Sequence, residues 1–151
     1  MSSSRTAISA ELGIALVGPE GTLVPLMASL YYSCNDPYAV RMAFHVGTDK
    51  PVEWTLAREL LAAALHSREG IGDVQAWPSV TSIDADEDGQ GTIDYQILNL
   101  AMTSPFGQAQ FEIGARDIEE FLHRTFAIVP AGQESSYLDF DAELNELLSQ
   151  A

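Results

Sequence analysis

The chain opens on strict alternation. Ile8, Ala10, Leu12, Ile14 and Leu16 share one parity, separated by residues such as Ser9, Glu11 and Gly13, as a half-buried strand requires. Gly18-Pro19-Glu20-Gly21 marks a turn. A second strand puts Leu26, Ala28, Leu30 and Tyr32 on one face. Pro25 lacks an N–H, which places it at a strand start or on an edge. Ser33-Cys34-Asn35-Asp36-Pro37 interrupts the pattern. A third strand directs Val40, Met42, Phe44 and Val46 inward, with Arg41 and His45 outward. Gly47 to Pro51 turns the chain into a short fourth strand over 52–55.

The period then changes from two to 3.6. Ala57, Leu60, Leu61, Ala64 and Leu65 fall on one helix face, with Thr55 as the expected N-cap. His66 and Arg68 suit the negative helix end, and Gly70 suits the position just past it. Strands resume over 72–79, 92–102 and 108–113, the last two joined by the tight turn Ser104-Pro105-Phe106-Gly107. A second helix is predicted over 115–129, burying Ile118, Phe121, Leu122, Phe126 and Val129, and Pro130-Ala131-Gly132 ends it. From Asp139 a short helix turns Leu144, Leu147 and Leu148 inward. The order is ββββαβββα with that terminal helix. Short turns between consecutive strands make the sheets antiparallel and the class α+β. No repeat or linker divides the chain, so 1–151 reads as one domain.

Charge narrows the function. Seven basic residues face 22 acidic ones, a formal net charge of −15. Nucleic-acid backbones are held by Lys and Arg that displace counterions, and this chain has few, scattered along it. Anionic lipid is disfavoured for the same reason. No stretch approaches the roughly 20 apolar residues that span a bilayer, and the opening residues, with one Arg and no long apolar run, do not read as a signal peptide. Cys34 is the lone cysteine, so no internal disulfide forms, in keeping with a reducing cytoplasm.

Candidate chemistry is sparse. His45, His66 and His123 stand at no metal-ligand spacing and read as surface or cap histidines. Cys34 has neutral or acidic sequence neighbours, which do not activate a thiol. No catalytic residue and no cofactor are predicted. Asp84, Asp86 and Asp88 with Gly89 open like a calcium loop. The continuation fails, because Gly91 stands at the apolar anchor position and Tyr95 at that of the bidentate Glu. The segment reads as an acidic inter-strand loop, with weak divalent binding as the alternative. Glu119, Glu120, Glu143 and Glu146 read as solvated helix faces. Tyr31, Tyr32, Trp54 and Trp77, without basic sequence neighbours, read as core or subunit contacts.

One set of anchors carries a resemblance. Asp36-Pro37-Tyr38, Phe44, Val52-Glu53-Trp54, Ala57-Arg58-Glu59-Leu60-Leu61, Gly72-Asp73-Val74 and Trp77-Pro78 follow in the order and spacing of the SsgA-like family. Ser104-Pro105-x-Gly107 and Phe121-Leu122-x-x-Thr125 extend it. That family comprises regulators of sporulation-specific cell division in filamentous actinobacteria. The resemblance implies two packed antiparallel sheets with helices against them, a whirly-like fold, and transfers no DNA binding. It also implies a non-enzymatic, cytoplasmic protein recruited to the division septum. The partners it implies are its own copies, often as a trimer, an SsgA-like paralogue and the FtsZ division protein. Glu120 and Arg124, on the exposed side of the second helix, are the candidate contact residues. The competing reading is a small enzyme or ligand-binding domain with a weak divalent-cation site in the acidic loop.

Overall fold

The computed structural model describes residues 6–47, 49–84, 91–105, 107–138 and 147–148. The strands are β1 (Ala7–Val17), β2 (Leu23–Ser33), β3 (Asp36–His45), β4 (Val52–Ala57), β5 (Glu69–Ile71), β6 (Val74–Asp84), β7 (Thr92–Ser104) and β8 (Gly107–Gly114). Helix α1 (Arg58–Ala64) follows β4, and α2 (Ala115–Ile128) follows β8. All eight strands belong to one antiparallel sheet, ordered β4-β3-β2-β1-β8-β7-β6-β5.

The α+β class stands, but the two sheets of about seven strands do not. The seam between the expected sheets is closed by β1 and β8, which pair at Ala15 with Glu112 and Leu16 with Phe111. Alternation within a strand cannot reveal which distant strand lies beside it. The extra strand is β5, three residues that pair with Val74, Gln75 and Ala76. It is too short to show a period. Gly70, expected as a helix exit, lies within it, and Gly72 makes the hairpin turn with φ +58°.

The sheet is curled tightly. Phe44 on β3 and Phe111 on β8 stand three strands apart, about 14 Å in a flat sheet. Their rings nevertheless stack at 4.2 Å between centroids, 16° from parallel. Rolling brings the two halves face to face. Leu30, Tyr32, Val40 and Met42 from one half and Leu98, Leu100 and Ile113 from the other are fully buried between them. The helices close this core, α1 with Leu60, Leu61 and Ala64, and α2 with Ile118, Phe121 and Leu122.

Several local expectations need correction. Val46 is exposed, because β3 ends at His45 and leaves the sheet. Thr55 is within β4, and Ala57, exposed rather than inward, is the N-cap of α1 with no side-chain bond. Pro25 pairs with Ala15 on β1, beyond the last β3 partner of β2, His45 opposite Met27. Its missing N–H therefore costs no ladder bond on the β3 side. Leu147 and Leu148 are exposed. The rest of the predicted terminal helix, including Leu144, Glu143 and Glu146, lies outside the described residues.

Candidate interaction surface

The candidate chemical residues are scattered. His45 is on the outer face of β3, where its ring shares a 2.9 Å hydrogen bond with the Ser29 hydroxyl. His66 is exposed just past α1, and His123 is exposed on α2. Cys34 is half-buried in the β2–β3 turn, where its backbone N–H donates to the Thr6 carbonyl at 2.8 Å. Asp84 ends β6, and residues 85–90, which carry the remainder of the calcium-like motif, lie outside the described residues. Among the described residues no three His, Cys, Asp or Glu side chains gather as a metal site. No helix among them is long and apolar enough to cross a membrane.

The best-defined polar centre is internal. Arg58 is completely buried at the start of α1. Its guanidinium donates to the carbonyls of Thr125 at 3.2 Å and Val129 at 2.7 Å, and to the Glu134 carboxylate at 2.8 Å. The rings of Phe126 and Tyr32 lie 4.2 and 5.1 Å from its central carbon. One side chain thus ties α1 to the C-terminal turn of α2 and to the 3-10 turn Glu134–Tyr137. The hydrogen bond from Arg58 holds the Glu134 carboxyl below the ordinary glutamate range. Burial pushes the Tyr32 phenol up to about 12, against the opposing pull of Arg58, and its hydroxyl donates to the Pro37 carbonyl at 2.9 Å.

Sequence reasoning missed this clamp. The signal was present, since Arg58, Leu61 and Leu65 are spaced i, i+3, i+7 and so share one side of a helix. A charged residue in the buried stripe requires a buried counter-charge, and nothing in the sequence points from Arg58 to Glu134, 76 positions away.

The outer surface offers three features. Glu120 is exposed on α2 and, with Arg116, Glu119 and His123, lines a shallow hollow of about 510 Å³. Arg124, one turn on, is half-buried. Met27 and Tyr31 face outward from β2, and Arg41, paired with Tyr31 across the strands, lies 4.7 Å over its ring. Arg68 likewise lies 4.6 Å over Trp77. With Arg58 against Tyr32, three of the four aromatics therefore do have basic neighbours, brought there by folding rather than by sequence adjacency. Trp54 is half-buried and lines a small apolar hollow with Val46, Val52 and Phe111.

Comparison with known proteins adds what geometry alone does not. Residues 26–134 match the family model described as Streptomyces sporulation and cell division protein, SsgA. The chain is 51% identical to the sporulation-specific cell division protein SsgB of Thermobifida fusca over 149 residues, covering 99% of this chain and all of that one. It is 42% identical to SsgB of Streptomyces coelicolor over 147 residues, covering 97% and 99%. A solved SsgA-like sporulation-specific cell division protein from Thermobifida fusca superposes with a TM-score of 0.78 at 51% identity, covering 97% and 98% of the two chains. A solved structure tied to mutations in SsgB and longitudinal cell division during sporulation of Streptomyces coelicolor superposes with a TM-score of 0.77 at 40% identity, covering 91% and 100%. The sequence anchors, the curled sheet and these matches together show that the chain belongs to the SsgA-like family of sporulation-specific cell division proteins.

Proposed function

We propose that this protein is a non-enzymatic regulator of septation that acts by protein–protein recruitment of the FtsZ division machinery. The observation that carries the reading is the match to SsgB relatives, sporulation-specific cell division proteins, over 99% and 97% of this chain. In this reading the protein is cytoplasmic and reaches the septum through a partner. It forms a homo-oligomer, expected as a trimer, through outward apolar positions such as Met27 and Tyr31. An SsgA-like paralogue is its second partner.

The exposed side of α2 is the proposed recruitment face. Its inner side is buried in the core, which fixes the direction in which Glu120 and Arg124 project. Glu120→Lys and Arg124→Glu should abolish or reduce sporulation septa in a sporulating actinobacterium whose own copy is replaced. Protein abundance should stay near wild type. Changing His45, His66, His123 or Cys34 to Ala, one at a time, should leave septation unchanged. An abundant, folded His or Cys variant that makes no septa would overturn the non-enzymatic reading.

A further inference from the structure

We propose that a groove beneath the part of the β6–β7 ribbon that carries Thr81, Ile83, Ile93 and Tyr95 binds a cationic amphipathic segment of a partner protein. The proposal rests on the reading that the chain acts through protein contacts, but not on which division protein it recruits.

The groove follows from strand lengths. β8 pairs with β7 only from Ile97 to Ser104, so among the described strands Thr92–Gln96 of β7 has β6 alone as a partner. The ribbon so formed carries Ile83 opposite Ile93 and Thr81 opposite Tyr95. Successive pairs two residues apart share a face, so these side chains form one apolar strip. Two-stranded ribbons are marginal in water. Yet Ile83, Ile93 and Tyr95 are 54%, 45% and 47% exposed. Leu23, at the start of β2, faces the same space and is 53% exposed. Together with the first turn of α2 these elements enclose about 890 Å³, within the range of ligand sites.

The rim selects the occupant. Glu112, Asp117 and Glu119 border the groove against one cation, Arg116, while Asp94 alternates to the opposite face of the ribbon, where it accepts from the Ser82 hydroxyl. An apolar floor with an excess of carboxylates complements a segment whose apolar side chains are flanked by Lys or Arg. Phosphate-bearing ligands and anionic lipid surfaces meet the wrong sign. A second copy of this chain is a poor match, because it brings seven basic residues against 22 acidic ones.

The probe is a fluorescein-labelled synthetic helix of about five turns, with Leu on one face and Lys on the rest. Its anisotropy is followed with the full chain at about 0.15 M salt, where distant charges are screened. The expected result is saturable binding in the micromolar range. Glu112→Gln with Asp117→Asn and Glu119→Gln should weaken it about tenfold, as several rim ion pairs together allow. Ile83→Ser with Ile93→Ser should weaken it by about tenfold or more through lost apolar burial. Both positions are exposed, so circular dichroism should show both variants folded. A distant triple, Glu53→Gln with Glu59→Gln and Asp73→Asn, the last at the opposite end of β6 from Ile83, removes the same charge and should change binding less than about twofold.

Equal loss from the groove and distant triples would reduce the effect to net charge and overturn the proposal. Equal affinity for a peptide with Ser in place of Leu would overturn it too. So would sedimentation in which the Ile variants break an oligomer while peptide binding is unchanged, because a second copy would then be the occupant. Peptide binding that behaves as expected while groove variants septate normally would uphold the groove and count against the recruitment reading.

Discussion

Arg58→Met isolates the internal clamp. The variant keeps an aliphatic stem between Tyr32 and Phe126 and removes the guanidinium, so packing is largely preserved. Three acceptors lose a charged donor, and they do not count equally. The Thr125 carbonyl also accepts the Val129 N–H at 2.9 Å, so it keeps a partner. Glu134 opens a turn whose next three residues are exposed, which gives its carboxylate a short route to water. Val129 is fully buried, and its carbonyl loses a 2.7 Å bond with no solvent to replace it. Loss of a hydrogen bond to a charged group costs about 1.5–3 kcal/mol. Relief of the arginine's own desolvation offsets part of the total. The net expectation is a loss of about 2–3 kcal/mol, which lowers Tm by roughly 4–12 °C for a chain of this size.

The assay is urea unfolding followed by tryptophan fluorescence and far-ultraviolet circular dichroism, with coincident transitions as the two-state check. Arg58→Lys should recover only part of the loss, because one ammonium cannot span two carbonyls and a carboxylate as the guanidinium fork does. In a double-mutant cycle, Glu134→Gln should destabilise the wild type but change the Arg58→Met background little. A stability for Arg58→Met within about 0.5 kcal/mol of wild type, or full rescue by Lys, would show that the clamp adds nothing beyond packing.

Further expectations concern pH and packing. Glu134 has a depressed carboxyl, so its stabilising contribution is present above the ordinary glutamate range and is lost as pH falls through the lower folded value. Glu134→Gln should flatten that part of an acid melting series. Tyr32 is the opposite case. Its phenol is raised from 10 to about 12, so stability should fall between those values as the unfolded chain ionises first, and Tyr32→Phe should remove that slope. Phe111→Ala removes one ring of the stack that joins the two halves of the sheet and should cost about 3–5 kcal/mol in urea unfolding. Val46→Ser, at an exposed position, should stay within about 0.5 kcal/mol of wild type in the same measurement.

Most elements were legible because burial writes itself into local periods. The alternation at Ala28–Tyr32 and Val40–Phe44, and the helical spacing at Ile118, Phe121 and Leu122, each mark a face that is in fact buried. What failed was non-local or too short to carry a period. The pairing of Leu16 with Phe111 decides between one sheet and two, and no pattern around either residue encodes its distant neighbour. Glu69–Ile71 offers three residues, fewer than any alternation needs. The groove was illegible for a related reason. Ile83 lies beyond the strand predicted over 72–79 and Ile93 and Tyr95 within that over 92–102, and only the longer reach of β6 and the shorter reach of β8 set them together and leave them exposed.

The two proposed surfaces are physically linked. Arg116 and Glu119 border both the groove and the hollow that contains Glu120, so a ligand that covers them on one side withdraws them from the other. Their positions depend on α2, whose first turn borders the groove and whose last turn is pinned by Arg58 through the Thr125 and Val129 carbonyls. Loosening that pin frees the far end of the helix, while Ile118, Phe121 and Leu122 still hold its middle in the core. A clamp variant should therefore disturb the end near Arg124 before it disturbs the rim at Arg116 and Glu119. Loss of septation in Arg58→Met with peptide binding intact would place the recruitment contact toward the C-terminal half of α2. Loss of both would mean that the helix moves as one body.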